Sequence, residues 1–247
     1  MTGECQTRGT IWGVGLGPGD PELLSVKADR LLRRAGHVAY FRKAGRTGQA
    51  RRILGDMLRL DVTEIAMDYP VTTEIPLTDP RYNEMLSAFY EESAAHLRDL
   101  SFAGTDVIVV SEGDPFFYGS FMHLYTRLKD DCPIEVVPAI TGMSAAWTAT
   151  GLPITWGDDV LSVVMGTLPD DALTDYMARA DAMVIMKIGR NFTKVCNALR
   201  RAGRFEDAWL IEYAAMPDQT VQKLSEAGDK VTPYFSIIVV HGNGRRP

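Results

Sequence analysis

The chain has 247 residues, 46% of them hydrophobic and 23% charged, with a net charge of −6 at pH 7. This composition suits one large or two modest globular domains and excludes a largely disordered chain. The acidic balance argues against a general nucleic-acid binder. The polar N-terminus MTGECQTRGT has no signal core, and the longest apolar runs, VIVV (107–110) and SIIVV (236–240), are strand-length, so a cytoplasmic protein with no membrane span is expected.

Strand-like and helix-like segments alternate along the chain, as in α/β proteins. TIWGVGL (10–16) reads as a first strand. Asp20 can cap a helix with Pro21 at its first position, and Leu24, Ala28, Leu31, Leu32 and Ala35 recur at helical spacing until Gly36 stops it. HVAYF (37–41) is a short second strand and 47–59 a helix. Asp79-Pro80 opens a helix running to about Arg98, with Met85, Leu86, Phe89 and Leu97 on its apolar stripe. DVIVV (106–110) is a buried strand, followed by the turn SEGDPFFYGS (111–120), a helix and the strand IEVVPA (134–139).

Thr141–Thr150 is helical in pattern, and the rhythm then restarts. Strands at 160–166, 182–189, 209–215 and 233–240 complete the chain, with a helix in each of the first two gaps. The restart predicts two domains, 1–140 and 141–247. The cysteines Cys5, Cys132 and Cys196 form no CxxC pair, and His37, His96, His123 and His241 lack ligand spacing. Reduced structural thiols and no protein-held metal are therefore expected.

Charge is uneven. From Lys27 to Arg59 there are ten basic residues against Asp29 and Asp56, a local balance of +8 that leaves −14 for the rest. Solvated helix faces account for most such residues; a site for a polyanionic ligand is the sharper alternative.

The first loop, GVGLGPGDPELL (13–24), invites comparison with a phosphate cradle. It fails the dinucleotide spacing, because Pro18 or Asp20 falls where the third glycine belongs, and no Walker lysine follows. Pro18 removes an N–H donor and Asp20 adds a negative charge, which suits a cap and repels phosphate. A tight turn in which the glycines supply unusual φ/ψ competes with a ligand-binding turn at a strand's carboxyl end. The second loop, EGDPFFYG (112–119), also ends a strand. Gly113 permits close approach, Asp114 can accept from hydroxyls or an amine, and Phe116, Phe117 and Tyr118 offer aromatic surface; a turn with a core aromatic pair is the alternative. Two such loops in one chain favour a shared cleft.

GVGLGPGD near the N-terminus, GDPFFYGS (113–120) and VVPAITGMSAAW (136–147) resemble, in order, the motifs of the tetrapyrrole (corrin/porphyrin) methylases, and the likeness covers nearly the whole chain. SEGDPFFYGSFMHLYTRL (111–128), YPVTTEIP (69–76) and MPDQ (216–219) are most similar to the branch that methylates C20 of precorrin-2 in cobalamin biosynthesis. One departure is Pro138-Ala139, where the family usually has Pro-Gly.

The resemblance implies two unequal α/β domains of the class III methyltransferase type, a homodimer, and S-adenosylmethionine in the cleft between the domains. It implies cofactor contacts at Pro18, Glu112, Gly113, Asp114, Phe117, Thr141 and Gly142, with Ile188 and Ala214 as approximate matches acting mostly through backbone. The small-molecule substrate would be precorrin-2, which bears eight carboxylates, giving precorrin-3A. Arginine pairs with carboxylates bidentately, so Arg42, Lys43 and Arg46 are candidate substrate contacts, with Lys187 and Arg190 as weaker ones. For each, a surface charge is an equal alternative. Glu112 and Tyr118 stand in the loop as helpers for proton removal, but the sequence singles out neither and no catalytic base is assigned. The rivals are cobalt-precorrin-2 as substrate, another ring position, an RNA or diphthamide-pathway methylase of the same fold, and a non-enzymatic ligand-binding module.

Overall fold

A computed structural model describes residues 7–72, 75 and 79–246. Cys5 and residues 73, 74 and 76 of the YPVTTEIP stretch lie outside the described residues. The chain divides into two compact units, Met1–Thr141 and Gly142–Pro247.

The first unit is a five-stranded parallel sheet of β1 (Ile11–Gly15), β2 (His37–Lys43), β3 (Thr63–Tyr69), β4 (Val107–Ser111) and β5 (Ile134–Val137), in the order β3-β2-β4-β1-β5. Four helices connect the strands: α1 (Val26–Leu32), α2 (Gln49–Leu54), α3 (Pro80–Phe102) and α4 (Phe121–Leu128). Alternating side chains send the strands' two faces to different helices. Ile108 and Val110 of β4 pack with Ala28 and Leu32 of α1 and Ile53 and Leu54 of α2. Val107 and Val109 pack with Ala94 and Leu97 of α3 and Phe121 and Leu124 of α4.

The predicted first helix is two elements. Asp20 accepts from Glu22 N–H and caps a single 3-10 turn, Pro21–Leu23; Ser25 then caps α1 by accepting from Ala28 N–H. Two cap residues five positions apart compete, and the chain uses both. Strand β2 runs two residues beyond the prediction, so Arg42 and Lys43 belong to the strand and do not follow it. Helix α2 is shorter than 47–59, because Gly55 ends it at φ +47. Helix α3 starts at its predicted Asp79-Pro80 cap and continues to Phe102.

The second unit is a mixed sheet of β6 (Leu161–Met165), β7 (Ala182–Met186), β8 (Ala208–Glu212), β9 (Thr220–Lys223) and β10 (Ser236–Val240), in the order β6-β7-β10-β8-β9. Only β6 and β7 pair in parallel. Ile238 and Val240 pack toward α6 (Asp170–Arg179) and α7 (Phe192–Arg201), while Val239 packs toward α5 (Gly142–Ala149). Strands β3 and β9 carry no apolar run and were not predicted; both are sheet edges, TEIAMDY and TVQK, where few side chains are buried. Cys132 and Cys196 are buried free thiols. Among the described residues no helix is long and apolar enough to cross a membrane.

Candidate active site at a switch point of the parallel sheet

Strands β1 and β4 are neighbours in register Gly13↔Val109 and Gly15↔Ser111. The chain leaves β1 toward α1 on one face of the sheet and leaves β4 toward α4 on the other. A crevice opens where adjacent strand exits diverge, and in open α/β sheets ligands bind there. The loops on its two sides are the two Gly-Pro turns singled out in the sequence.

The turns are joined directly. Gly113 N–H donates to Gly17 O at 2.7 Å, and Leu16 N–H donates to Ser111 O at 2.9 Å. Gly17 (φ +73) and Gly113 (φ +64) both adopt left-handed backbone, which glycine takes without strain. The third motif meets them at Gly15. A Cβ there would lie 2.5 Å from Ala139 Cβ, 2.6 Å from Gly113 O and 2.9 Å from Pro115 Cδ. Ala139 adopts no left-handed φ, so replacing the family's glycine at this position strains nothing. Pro18 is buried in the first loop.

Asp114 is the clamp of the second loop. Its Oδ1 accepts from Phe116 N–H and its Oδ2 from Ala139 N–H, both at 2.9 Å. Its oxygens thus tie the loop to itself and to the end of β5. Phe117 donates its N–H to Asp114 O at 3.1 Å, and its ring meets Tyr118 edge-on. Phe116 turns against Phe121 and Tyr125. Tyr118 is half exposed and holds φ +56, a strained value for an aromatic residue.

Glu112 has a different task. Gly48 is the N-cap of α2 and has no side chain to cap it; a Cβ there would meet Phe41 O at 2.5 Å. Glu112 Oε1 supplies the missing acceptor, taking Ala50 N–H at 2.9 Å. Desolvation pushes its carboxyl above the usual carboxylate range, opposed by backbone N–H groups including that of Ala50. The preceding Ser111 hydroxyl is buried with no partner among the described residues.

The far end of the loop is held from β3. Tyr69 and Ser120 share a hydrogen bond between their hydroxyls, and Tyr90 OH donates to Ser120 Oγ at 3.1 Å. Tyr69 opens the YPVTTEIP stretch, so this bond links it to GDPFFYGS.

Of the candidate substrate residues, Arg42 and Lys43 end β2, beside β4. Arg42 pairs with Asp68 on β3 at 2.5 Å. Arg46 is exposed in the turn that follows. Acids outside the +8 stretch offset half of its charge, through Lys27–Glu135, Arg42–Asp68, Arg51–Glu64 and Arg59–Asp61. Thr141 and Gly142, at the entry to α5, are partly exposed.

In the second unit, Ile188 and Ala214 follow β7 and β8, and both side chains are in core clusters, which leaves backbone as what they can offer. Lys187 (φ +54) and Arg190 are exposed at the end of β7. Tyr213 (φ +54) and Ala215 (φ +58) flank Ala214 in left-handed conformations that sequence reasoning missed. Neither residue type announces such a backbone. Tyr213 N–H donates to Phe235 O and Ala215 N–H to Gln219 Oε1, which hold the turn.

The model of the tetrapyrrole (corrin/porphyrin) methylases matches residues 10–228. A precorrin-2 C(20)-methyltransferase of Sinorhizobium is 46% identical over 97% of this chain and 98% of its own. A cobalt-precorrin-2 C(20)-methyltransferase of Salmonella typhimurium is 27% identical over 94% of this chain and 96% of its own. The structure of a uroporphyrin-III C-methyltransferase from Thermus thermophilus complexed with S-adenosylhomocysteine superimposes with a TM-score of 0.66 at 25% identity, covering 94% of this chain and 92% of that one. With the match spanning both units and carrying all three loops of the switch point, the chain belongs to the tetrapyrrole (corrin/porphyrin) methylases.

Proposed function

We propose that this protein transfers a methyl group from S-adenosylmethionine to C20 of precorrin-2, giving precorrin-3A in cobalamin biosynthesis. The carrying observation is the 46% identity, spread over 97% of the chain, to a protein named for that reaction. The 27% identity to a protein named for the cobalt complex keeps cobalt-precorrin-2 as the second substrate to test.

The switch-point loops suit this cofactor. When bound, S-adenosylmethionine supplies a methyl group on a cationic sulfur and brings no phosphate. Pro18 lacks an N–H, Gly113 presents its carbonyl toward Gly15, and Asp114 and Glu112 place carboxylates in the second loop. A first loop short of the Pro18 donor and a second loop carrying two acids suit a cation better than a phosphate. Pro18, Glu112, Gly113, Asp114, Phe117, Thr141, Gly142, Ile188 and Ala214 are the proposed cofactor contacts. Asp114 acts first by holding the loop's shape, since each oxygen already accepts a backbone N–H.

C20 of precorrin-2 is enamine-like and already nucleophilic, so the chain's residues contribute alignment and exclusion of water. Arg42, Lys43, Arg46, Lys187 and Arg190 are the proposed partners of its carboxylates. Glu112 caps α2 and Tyr118 is held at positive φ; neither geometry assigns a base for the proton lost from C20. The protein is further proposed to act as a cytoplasmic homodimer, which sedimentation analysis tests for its oligomeric half. The functional test is incubation with S-adenosylmethionine and metal-free or cobalt-loaded precorrin-2 in parallel. A gain of one methyl, placed at C20 by NMR, is expected; no transfer, or transfer to another position, refutes the reading.

A further inference from the structure

Beside the switch point, in the same unit, lies a cavity of about 490 Å³ lined by Tyr40, Arg42, Thr47, Arg51, Arg52 and Asp56. It lies between α2 and the C-terminal half of β2. Arg42 stands two residues past Tyr40, the last β2 residue paired with β4, and Glu112, just past the end of β4, holds the start of α2. Glu112 of the second cofactor loop thus caps the helix that carries Arg51 and Arg52.

Its arginines are held in place from behind. Arg51 uses Nε on Glu64 at 2.6 Å and Nη1 on Gly55 O at 3.0 Å, which leaves its second Nη group uncommitted among the described residues. Arg42 uses Nε on Asp68 at 2.5 Å, while its Nη2 is 3.4 Å from the other oxygen of Asp68, a poor contact. Arg52 has no acidic partner among the described residues and is exposed. Glu64 sits below the usual carboxylate range because Arg51 hydrogen-bonds it, with Tyr40 helping. Thr47 adds a hydroxyl. Ion pairs to β3 thus hold two of the guanidinium groups in the cavity lining, and a third, that of Arg52, is exposed with no acidic partner among the described residues. Planar forks arranged this way match a carboxylate.

We propose that this cavity is a carboxylate pocket in which Arg51 and Arg52, with Arg42, receive an acid side chain of the tetrapyrrole. Neither Arg51 nor Arg52 is distinguished in the sequence from the other basic residues of its segment. The proposal rests on the proposed function for the identity of the macrocycle.

The test is fluorescence titration with uroporphyrin III, a stable macrocycle with eight carboxylates, in wild type, R52Q, R51Q/R52Q and the charge-matched control R30Q. Arg30 is exposed on α1 and away from the cavity. R52Q alone keeps the Arg51–Glu64 pair, so its folding is not at issue. Expected is a three- to tenfold loss of affinity for each arginine removed, on the order of one partly exposed charge-assisted contact. The loss shrinks at high salt. R30Q stays within about twofold of wild type, and S-adenosylhomocysteine affinity is the same in all four proteins. Equal uroporphyrin III affinity in R52Q, R51Q/R52Q and R30Q overturns the pocket. So does citrate, which carries carboxylates without the macrocycle, if it binds as tightly as uroporphyrin III. A wild type that methylates precorrin-2 while R52Q shows no loss sinks the pocket alone; a wild type that neither binds uroporphyrin III nor methylates precorrin-2 sinks the function and the pocket together.

Discussion

Gly15→Ala is the most demanding test of how the three loops meet. The added methyl would sit 2.5 Å from Ala139 Cβ, 2.6 Å from Gly113 O and 2.9 Å from Pro115 Cδ. Unstrained carbon contacts lie near 3.5–4.0 Å, so each of three neighbours must yield by about an ångström. Overpacking costs about 1–3 kcal/mol. Three simultaneous contacts, one with a main-chain carbonyl and one with a Cβ that has no rotamer to change, place this substitution near 3 kcal/mol. At about 2–4 °C per kcal/mol, the thermal midpoint should fall by about 6–12 °C. Ala139→Gly removes the nearest contact and leaves the other two. By itself it costs about 0.5–1 kcal/mol through added backbone freedom, yet in the Gly15→Ala background it should recover about 1 kcal/mol or more. Urea denaturation of the four proteins measures this coupling, and calorimetric titration with S-adenosylhomocysteine reads the loops, with an expected loss of at least about tenfold for Gly15→Ala. Strict additivity of the two substitutions, within about 0.5 kcal/mol, would refute the packing argument. An unchanged affinity would separate the three-loop junction from the cofactor site.

Asp114→Ala deprives two backbone N–H groups of their acceptor, and at about 1 kcal/mol each should cost about 2 kcal/mol in urea denaturation. Asp114→Asn keeps one acceptor oxygen and should recover about half. Glu112→Gln retains an acceptor for Ala50 N–H and abolishes ionisation. Because desolvation raises the Glu112 carboxyl above its unfolded value of 4.5, the wild type loses stability as pH rises from there through the folded value. The melting advantage of Glu112→Gln should therefore grow from pH 4.5 upward, and a pH-independent difference contradicts the shift. Replacing Arg42 and Arg46 together by alanine should raise KM for the tetrapyrrole while cofactor affinity holds, and unchanged tetrapyrrole binding removes both residues from the substrate site.

Much of the architecture was legible because its signals are local. The β-branched runs of β4 and β10 and the Asp79-Pro80 cap of α3 each depend on neighbours a few positions away. The edge strands β3 and β9 were not legible, since a strand that buries little carries no apolar run. The cap at Asp20 was likewise readable, and the structure gives Asp20 that role. The motifs that mark the tetrapyrrole methylases were also visible in the chain.

What the tertiary structure decided is which partners those residues meet. The +8 segment reads in the sequence mostly as solvated helix faces, with a polyanion site as the alternative; acids on β3 and β5 and in the turn before β3 pair with four of its members, and the arginines that line a cavity include Arg51 and Arg52, which spacing does not distinguish. Asp114 reads as a ligand acceptor, and the structure adds that its two oxygens clamp the loop through Phe116 and Ala139 N–H. Glu112 caps a helix far from it in the chain. Caps and periodicities are written in consecutive residues, whereas the company of a charge or a glycine depends on strand order. The order β3-β2-β4-β1-β5 brings Gly15, Gly113 and Ala139 into contact, and no local pattern encodes that order.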